Sequence, residues 1–344
     1  MSIGVVYDPV YLEHDTGPHC EVAPRLIRTM EHLSETGLMK QLTQIPARPA
    51  TVKEISRVHS EGYINYVESF AERGGGYLDP DTVVSKGSYK AALFAAGGLM
   101  NAVDAVIDGK VEHAFALVRP PGHHALRLEA MGFCLFNNVA VAARHLLASR
   151  GLKRVMIIDF DVHHGNGTQD EFYRDREVLY LSTHEYPFYP GSGATTEIGE
   201  GAGSGFTVNI PLPSSCRDEE YLQAFEEIVT PVAKRFRPQF ILVSAGYDAH
   251  WADSISMMQV STTGFAKMSR IIKGLADELC GGRLAFVLEG GYHVEALATS
   301  VRATFDILRG VTDIVDPLGQ PESTWRVPDI EERLKEIKQI HRLV

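Results

Sequence analysis

The sequence predicts an α/β fold in one domain, a mostly parallel sheet with helices on both faces. Three observations point there. Short, almost continuously apolar segments rich in Val, Ile, Leu and Phe recur along the chain, as strands buried on both faces do. Stretches with apolar residues at helical spacing alternate with them. No internal repeat and no Ser/Pro-rich linker divides the 344 residues, a length within reach of one large α/β domain.

Taken in order, the strand candidates are SIGVVYD from residue 2, HAFALVR from 113, KRVMIIDFD from 153, EVLYLSTH from 177, FTVNIPLP from 206, QFILVSAGYD from 239 and RLAFVLEGG from 283. NNVAVAARHLLASRG (137–151) and EEYLQAFEEIVTPVAKRF (219–236) read as helices between them. Two stretches break the alternation. PFYPGSGATTEIGEGAGSG (187–205) is a glycine-rich connection too long for a routine turn, and connections of that length are more often functional than decorative. It is no phosphate-binding loop, because no strand leads into a G-x-G-x-x-G that opens a helix. The tail, 322–344, reads as helical, with Ile330, Leu334, Ile337 and Ile340 at helical spacing. That apolar face packs either on the chain's own body or on a second copy, which would make a homo-oligomer.

Composition narrows the class. Apolar residues at 44 % and charged residues at 22 % are ordinary globular usage. Residues 1–11 have neither a basic nor an apolar leader segment, and no apolar run approaches the roughly 18 residues of a membrane span, so a soluble, cytoplasmic chain is expected. The four cysteines, Cys20, Cys134, Cys216 and Cys280, form no CxxC, which argues against a disulfide framework or a thiolate zinc site. A net charge of −11 without a lysine or arginine block argues against a dedicated nucleic-acid binder and favours cationic small molecules or lysine-rich tails.

Ligands of open α/β sheets bind beyond the carboxyl ends of the strands. Here HAFALV runs into Arg119, Pro120, Pro121, Gly122, His123 and His124, and VMII into Asp159, Asp161 and His163. FILVSAG reaches Tyr247 and Asp248, and LAFVLEGG delivers Tyr292. Side chains alternate along a strand, so Asp159, Asp161 and His163 share one side. Buried neighbouring carboxylates need a counter-charge, and a cation supplies it. Two carboxylates and an imidazole suit a borderline divalent ion such as zinc, and three protein ligands leave a position open for water. Asp161 and His163 share one strand end, so the third ligand must come from another, where Asp248 is the best placed. Taken singly, each motif has a blander reading: D-x-H as a loop, the histidine pair as hydrogen-bonded loop residues, and Cys134 as a small buried thiol.

RPPGHH (119–124), GFCLFNN (132–138), DFDVHHGNG (159–167), PGSG (190–193), SAGYDAH (244–250) and EGGYH (289–293), in this order and spacing, resemble the zinc-dependent histone deacetylase and acetylpolyamine amidohydrolase superfamily. The likeness covers about residues 1–310 and leans towards the class II branch with its bacterial members. It implies the arginase/deacetylase-like fold, with a parallel sheet of about eight strands. It further implies Asp161, His163 and Asp248 as zinc ligands, with ferrous iron as the alternative ion. His124 would be general base and acid, His123 its electrostatic partner and Tyr292 the oxyanion donor. Asp159 would orient His123, and Asn166 would sit behind His124 where class I members carry an aspartate. A structural potassium would take Asp159, Asp161, His163 and Ser182, and a second monovalent site would fall near Phe172 and Val178.

The activity so implied is hydrolysis of an acyl amide to acetate, or another acid, and a free amine. Gly132, Phe133 and Tyr189 would line the tunnel that grips the methylene chain of an acyl-lysine or acetylated amine. Relatives mostly have phenylalanine where Tyr189 stands. Ile255 falls where the polyamine-selective branch carries an acid and lysine deacetylases a leucine, so lysine side chains or small amines are favoured over long polyamines. Its loop departs from the family's G-D-P-L-G, reading Ala252-Asp253-Ser254-Ile255-Ser256. The rival readings are a dimanganese ureohydrolase on the same fold, whose D-A-H-x-D is not matched because Asp253 falls one residue late, and a silent acyl-lysine-binding module.

Overall fold

The computed structural model describes residues 2–322 and 326–343. Its centre is an eight-stranded sheet of β1 (Ile3–Val6), β2 (Leu42–Ile45), β3 (His113–Ala116), β4 (Val155–Asp159), β5 (Val178–Glu185), β6 (Thr207–Leu212), β7 (Phe240–Ala245) and β8 (Leu284–Leu288). Every neighbouring pair is parallel and the order is β2-β1-β3-β8-β7-β4-β5-β6. Seven of these strands coincide with the apolar runs. The eighth, β2, escaped them because LTQI at a sheet edge buries only its outer residues.

The helices longer than one turn are α1 (Pro24–Glu35), α2 (Glu61–Glu72), α3 (Ser88–Ile107), α4 (Asn138–Arg150), α5 (Asn166–Phe172), α6 (Asp218–Ala224), α7 (Thr230–Phe236), α8 (Thr262–Cys280), α9 (Val294–Leu308) and α10 (Glu331–His341). Seven strands are buried along their whole length, consistent with cover on both faces. Among the described residues α3 alone is long and apolar enough to cross a membrane, but 67 % of its most apolar window is buried inside the molecule. It packs on β1 and β3. The helix expected over 219–236 is interrupted by one wide turn, Phe225–Val229, in which the Thr230 N–H donates to Phe225 O. Pro231 explains it: a proline lacks an N–H and clashes with the carbonyl four residues back, and the wide turn relieves both.

Of the two readings for the tail, packing on the chain's own body is realised. Ile330, Leu334 and Ile337 are buried, and α10 lies on β6 and the wide turn. Thr195 Oγ1 donates to Glu336 Oε1 at 2.9 Å, which ties the tail to the glycine-rich connection. That connection contains only one short 3-10 turn, Gly201–Gly203. Its first half is drawn together by the Glu197 carboxylate, which accepts from Gly193 N and Ala194 N, each at 3.0 Å.

The topology gathers what the sequence scattered. β3, β8, β7 and β4, whose carboxyl ends carry the candidate residues, are four contiguous strands. All four point the same way, so their ends meet on one rim.

Candidate active site

On that rim Asp161, His163 and Asp248 come together with one ligand atom of each within 4.8 Å of the others. The alignment of these side chains is not the strand's pleat, as the sequence predicts, but that of a turn. β4 ends at Asp159, so Asp161 and His163 stand in the turn beyond it. Side-chain hydrogen bonds two residues on keep them aligned: Asp159 Oδ1 accepts from Asp161 N at 3.2 Å and Asp161 Oδ1 from His163 N at 2.9 Å. Short carboxylates closing such turns are what let the chain leave the strand with its acids still aimed one way.

The cluster fits a cation. His163 Nδ1 faces Asp161 Oδ1 at 3.0 Å and Asp248 Oδ2 at 3.3 Å. Asp248 Oδ2 is buried without a hydrogen-bond partner, a costly state for a carboxylate oxygen unless a cation shares it. Burial, then the Asp161 charge, raises the Asp248 carboxyl above its ordinary range. The backbone leaves room for nothing else: a Cβ at Gly290 would lie 2.1 Å from Asp248 Oδ2 and 2.6 Å from Asp161 Oδ2. Phe188 stacks on the His163 ring, centroids 5.3 Å apart and planes at 19°, and holds the imidazole in place.

His124 and His123 sit beside the cluster with opposite electrostatics. Burial opposes charge on both, but Asp159 and then Asp161 outweigh it at His123, whose pKa is raised to about 10. Its Nδ1 donates to Asp159 Oδ2 at 3.1 Å. At His124 burial, then the charges of His123 and His163, push the pKa well below the usual histidine range. His124 Nδ1–H donates to Asn166 Oδ1 at 2.8 Å. With that proton fixed on Nδ1, Nε2 is the free lone pair.

Tyr292 is half-buried. Its ring meets Phe133 edge-on at 5.7 Å, with the Arg25 guanidinium 4.9 Å above its centre. Burial, then Asp248, raise its phenol well above the ordinary tyrosine value, so it stays a donor. Tyr189 stands edge-on to His124 at 5.2 Å and to His163 at 6.0 Å. Gly132 (φ 56°) gives the close approach, since a Cβ there would fall 2.3 Å from His124 Cδ2. Ile255 is half-buried and packs on the core. Ser182 pairs in register with Asp159, and its hydroxyl bonds His184 Nδ1 at 2.9 Å. Cys134 is buried with its thiol raised well above the usual value by burial, an inert group.

Three supports went unassigned in the sequence. Glu289, inside EGGYH, is a buried carboxylate whose Oε2 accepts from Gly122 N at 2.6 Å and His123 N at 3.2 Å, pinning the histidine loop to the end of β8. Asp253 Oδ2 accepts from Tyr292 N at 2.5 Å and His293 N at 3.0 Å. Arg25 donates to Gly291 O and Glu289 O, each at 2.6 Å, and to Glu21 Oε1 at 3.0 Å. Glu21 in turn pairs with buried Arg119 at 2.5 Å. The first two lay within quoted motifs; Arg25 and Glu21 had no local signal, because their partners are far along the chain.

Residues 19–308 match the model of the histone deacetylase domain. A probable deacetylase of Archaeoglobus fulgidus is 40 % identical, covering 99 % of this chain and 98 % of its own. A histone deacetylase-like amidohydrolase of Pseudomonas aeruginosa is 37 % identical over 93 % of this chain and 91 % of its own. The crystal structure of the HDA15 HD domain superposes with a TM-score of 0.89 at 34 % identity, covering 99 % of this chain and 94 % of that one. Sheet order, motif order and these likenesses agree: the chain belongs to the histone deacetylase family of amide-cleaving hydrolases.

Proposed function

We propose that the protein is a zinc-dependent amidohydrolase that removes acetyl or other acyl groups from lysine side chains or small amines. One observation carries the reading: His124, its Nδ1 held by Asn166 Oδ1 and its Nε2 left free, stands beside a buried Asp161, His163 and Asp248 trio with an unpartnered carboxylate oxygen. Zinc held by those three, or ferrous iron, which accepts the same ligands, supplies a Lewis acid and acidifies bound water to a pKa of about 7. His124 Nε2 takes the proton from the attacking water and returns it to the leaving amine. His123, kept charged by Asp159, stabilises the developing negative charge from one side. The Tyr292 hydroxyl donates to the oxyanion from the other. Phe133 and Tyr189 wall the approach for a methylene chain, and Ile255 offers no partner to a second ammonium group. Asp159, Asp161, His163 and Ser182, with backbone oxygens, would hold a structural potassium, and a second monovalent site would fall near Phe172 and Val178.

A panel of acyl-lysine peptides and acetylated polyamines, compared by kcat/KM with and without chelator, tests this. Expected are chelator-sensitive turnover, restored by about one zinc per chain, and preference for lysine peptides. Absence of chelator-sensitive turnover on every acyl amide would sink the reading.

A further inference from the structure

At the end of the sheet opposite the active-site rim, a cavity of about 810 Å³ opens between the starts of β4, β5 and β6, the end of α7 and the last turn of α10. Five cationic side chains line it, Lys153, Arg154, Arg176, Arg235 and Arg342, against one carboxylate, Glu177. In a chain of net charge −11 this concentration stands out. No sequence block announces it, because the five come from four separate segments that the fold brings together.

The cations are not consumed by one another's surroundings. Lys153 meets Glu177 at 3.5 Å at the surface. Arg154 Nε donates to the Arg237 carbonyl at 2.8 Å and Arg235 to that of His341, both neutral acceptors. Arg176 and Arg342 make no ion pair or side-chain hydrogen bond among the described residues. His341 adds no charge, since burial and then Arg235 lower its pKa to about 4. Arg154 also lines an adjoining cavity of about 580 Å³, which adds Arg237 and Arg283 against one further carboxylate, Glu278. The wall between the cations is apolar: Phe206 is half-buried and meets Phe236 edge-on, ring centroids 5.9 Å apart.

We propose that this cavity binds a small molecule carrying adjoining phosphate groups on an aromatic portion, of the class of nucleoside di- and triphosphates. Guanidinium forks match phosphate oxygens two at a time, and four of the five cations are arginines. A ligand with one carboxylate leaves most of the charge unmatched. The volume lies within the roughly 300 to 1,000 Å³ of small-molecule sites. An extended nucleic acid needs cations strung along a groove, whereas these ring one cavity and its neighbour.

The test is calorimetric titration of the metal-loaded protein with the magnesium complex of ATP, then ADP, AMP and inorganic tripolyphosphate, and with a single-stranded oligonucleotide. Expected is saturable ATP binding that weakens through ADP to AMP and as salt is raised. Lys153→Glu/Arg176→Glu, two exposed substitutions, should lower ATP affinity about tenfold or more while melting temperature and acyl-lysine turnover stay unchanged. Arg176→Gln gives a milder loss and guards against misfolding of the double variant. No saturable binding of ATP or tripolyphosphate, or equal affinity in the folded variants, overturns the proposal. An oligonucleotide bound more tightly than ATP and lost in the same variants also overturns it, in favour of a nucleic-acid surface.

Discussion

Asn166 sets the basicity of His124, because an amide oxygen accepts the Nδ1–H without a charge that would favour the imidazolium. Asn166→Asp supplies that charge and raises the His124 pKa. A base of higher pKa stays protonated to higher pH, so the acid limb of the kcat/KM profile should move up, by about one unit. A pH–rate profile of the variant with an unmoved limb would remove His124 from the role of base. Tyr292→Phe keeps the ring that Phe133 and Arg25 hold but loses the donor. The expected drop in kcat is about a hundredfold or more with folding intact. At this scale the sequence was most informative. Asp161, His163 and Asp248 were legible because buried acids at strand ends demand a counter-charge. The Asp159 and Asp161 turns that align them were not, since period-two reasoning cannot tell a strand from the turn that follows it.

The loops around the site are held by buried groups whose partners sit on other elements. Asp253 is one, bridging the loop after β7 to the Tyr292 backbone. Asp253→Asn halves the charge-assisted grip without a cavity, so kcat should fall several-fold with KM and metal content little changed, a split that steady-state kinetics with metal analysis reads. His59 is another. Its Nδ1–H donates to Leu126 O at 2.8 Å and its Nε2 accepts from Asn137 N, the cap of α4, at 2.9 Å, so the second bond needs the neutral ring. Burial lowers its pKa to about 4. The folded value lies below the unfolded one of about 6.5, so its contribution is full above pH 6.5 and is lost as pH falls towards 4, about 3 kcal/mol at the limit. His59→Gln should flatten the fall in melting temperature across that window; an unchanged slope would assign the acid lability elsewhere. These element-to-element ties explain why strands were readable from apolar runs while β2 and the Arg25, Glu21 and Arg119 cluster were not. An edge strand buries too little to leave a pattern, and ion pairs across 98 residues, as between Arg119 and Glu21, leave no local trace.

Across the whole molecule the sheet works in two directions. The carboxyl ends of β3, β8, β7 and β4 collect acids and histidines on one rim, and the amino ends of β4 to β6 collect arginines at the other. The acidic rim couples folding to its cation. Asp161 and Asp248 are both buried, and without an ion their mutual repulsion in a medium of low dielectric is relieved only by the His163 imidazole that faces both. Binding to the folded state alone stabilises it by about 2.7 kcal/mol when free metal stands at a hundred times its Kd, a shift of several degrees in melting temperature. Calorimetric melts with zinc and with chelator should therefore differ by that much for the native chain. Asp248→Asn should abolish the difference and, because the repulsion with Asp161 goes too, melt no lower than the chelated native protein. Equal melting of the native chain in zinc and in chelator would mean that the trio is balanced by protons and holds no metal; a variant that melts well below the chelated native chain would mean that the Val162 N–H bond of Asp248 Oδ1, and not a cation, is what the carboxylate is there to make.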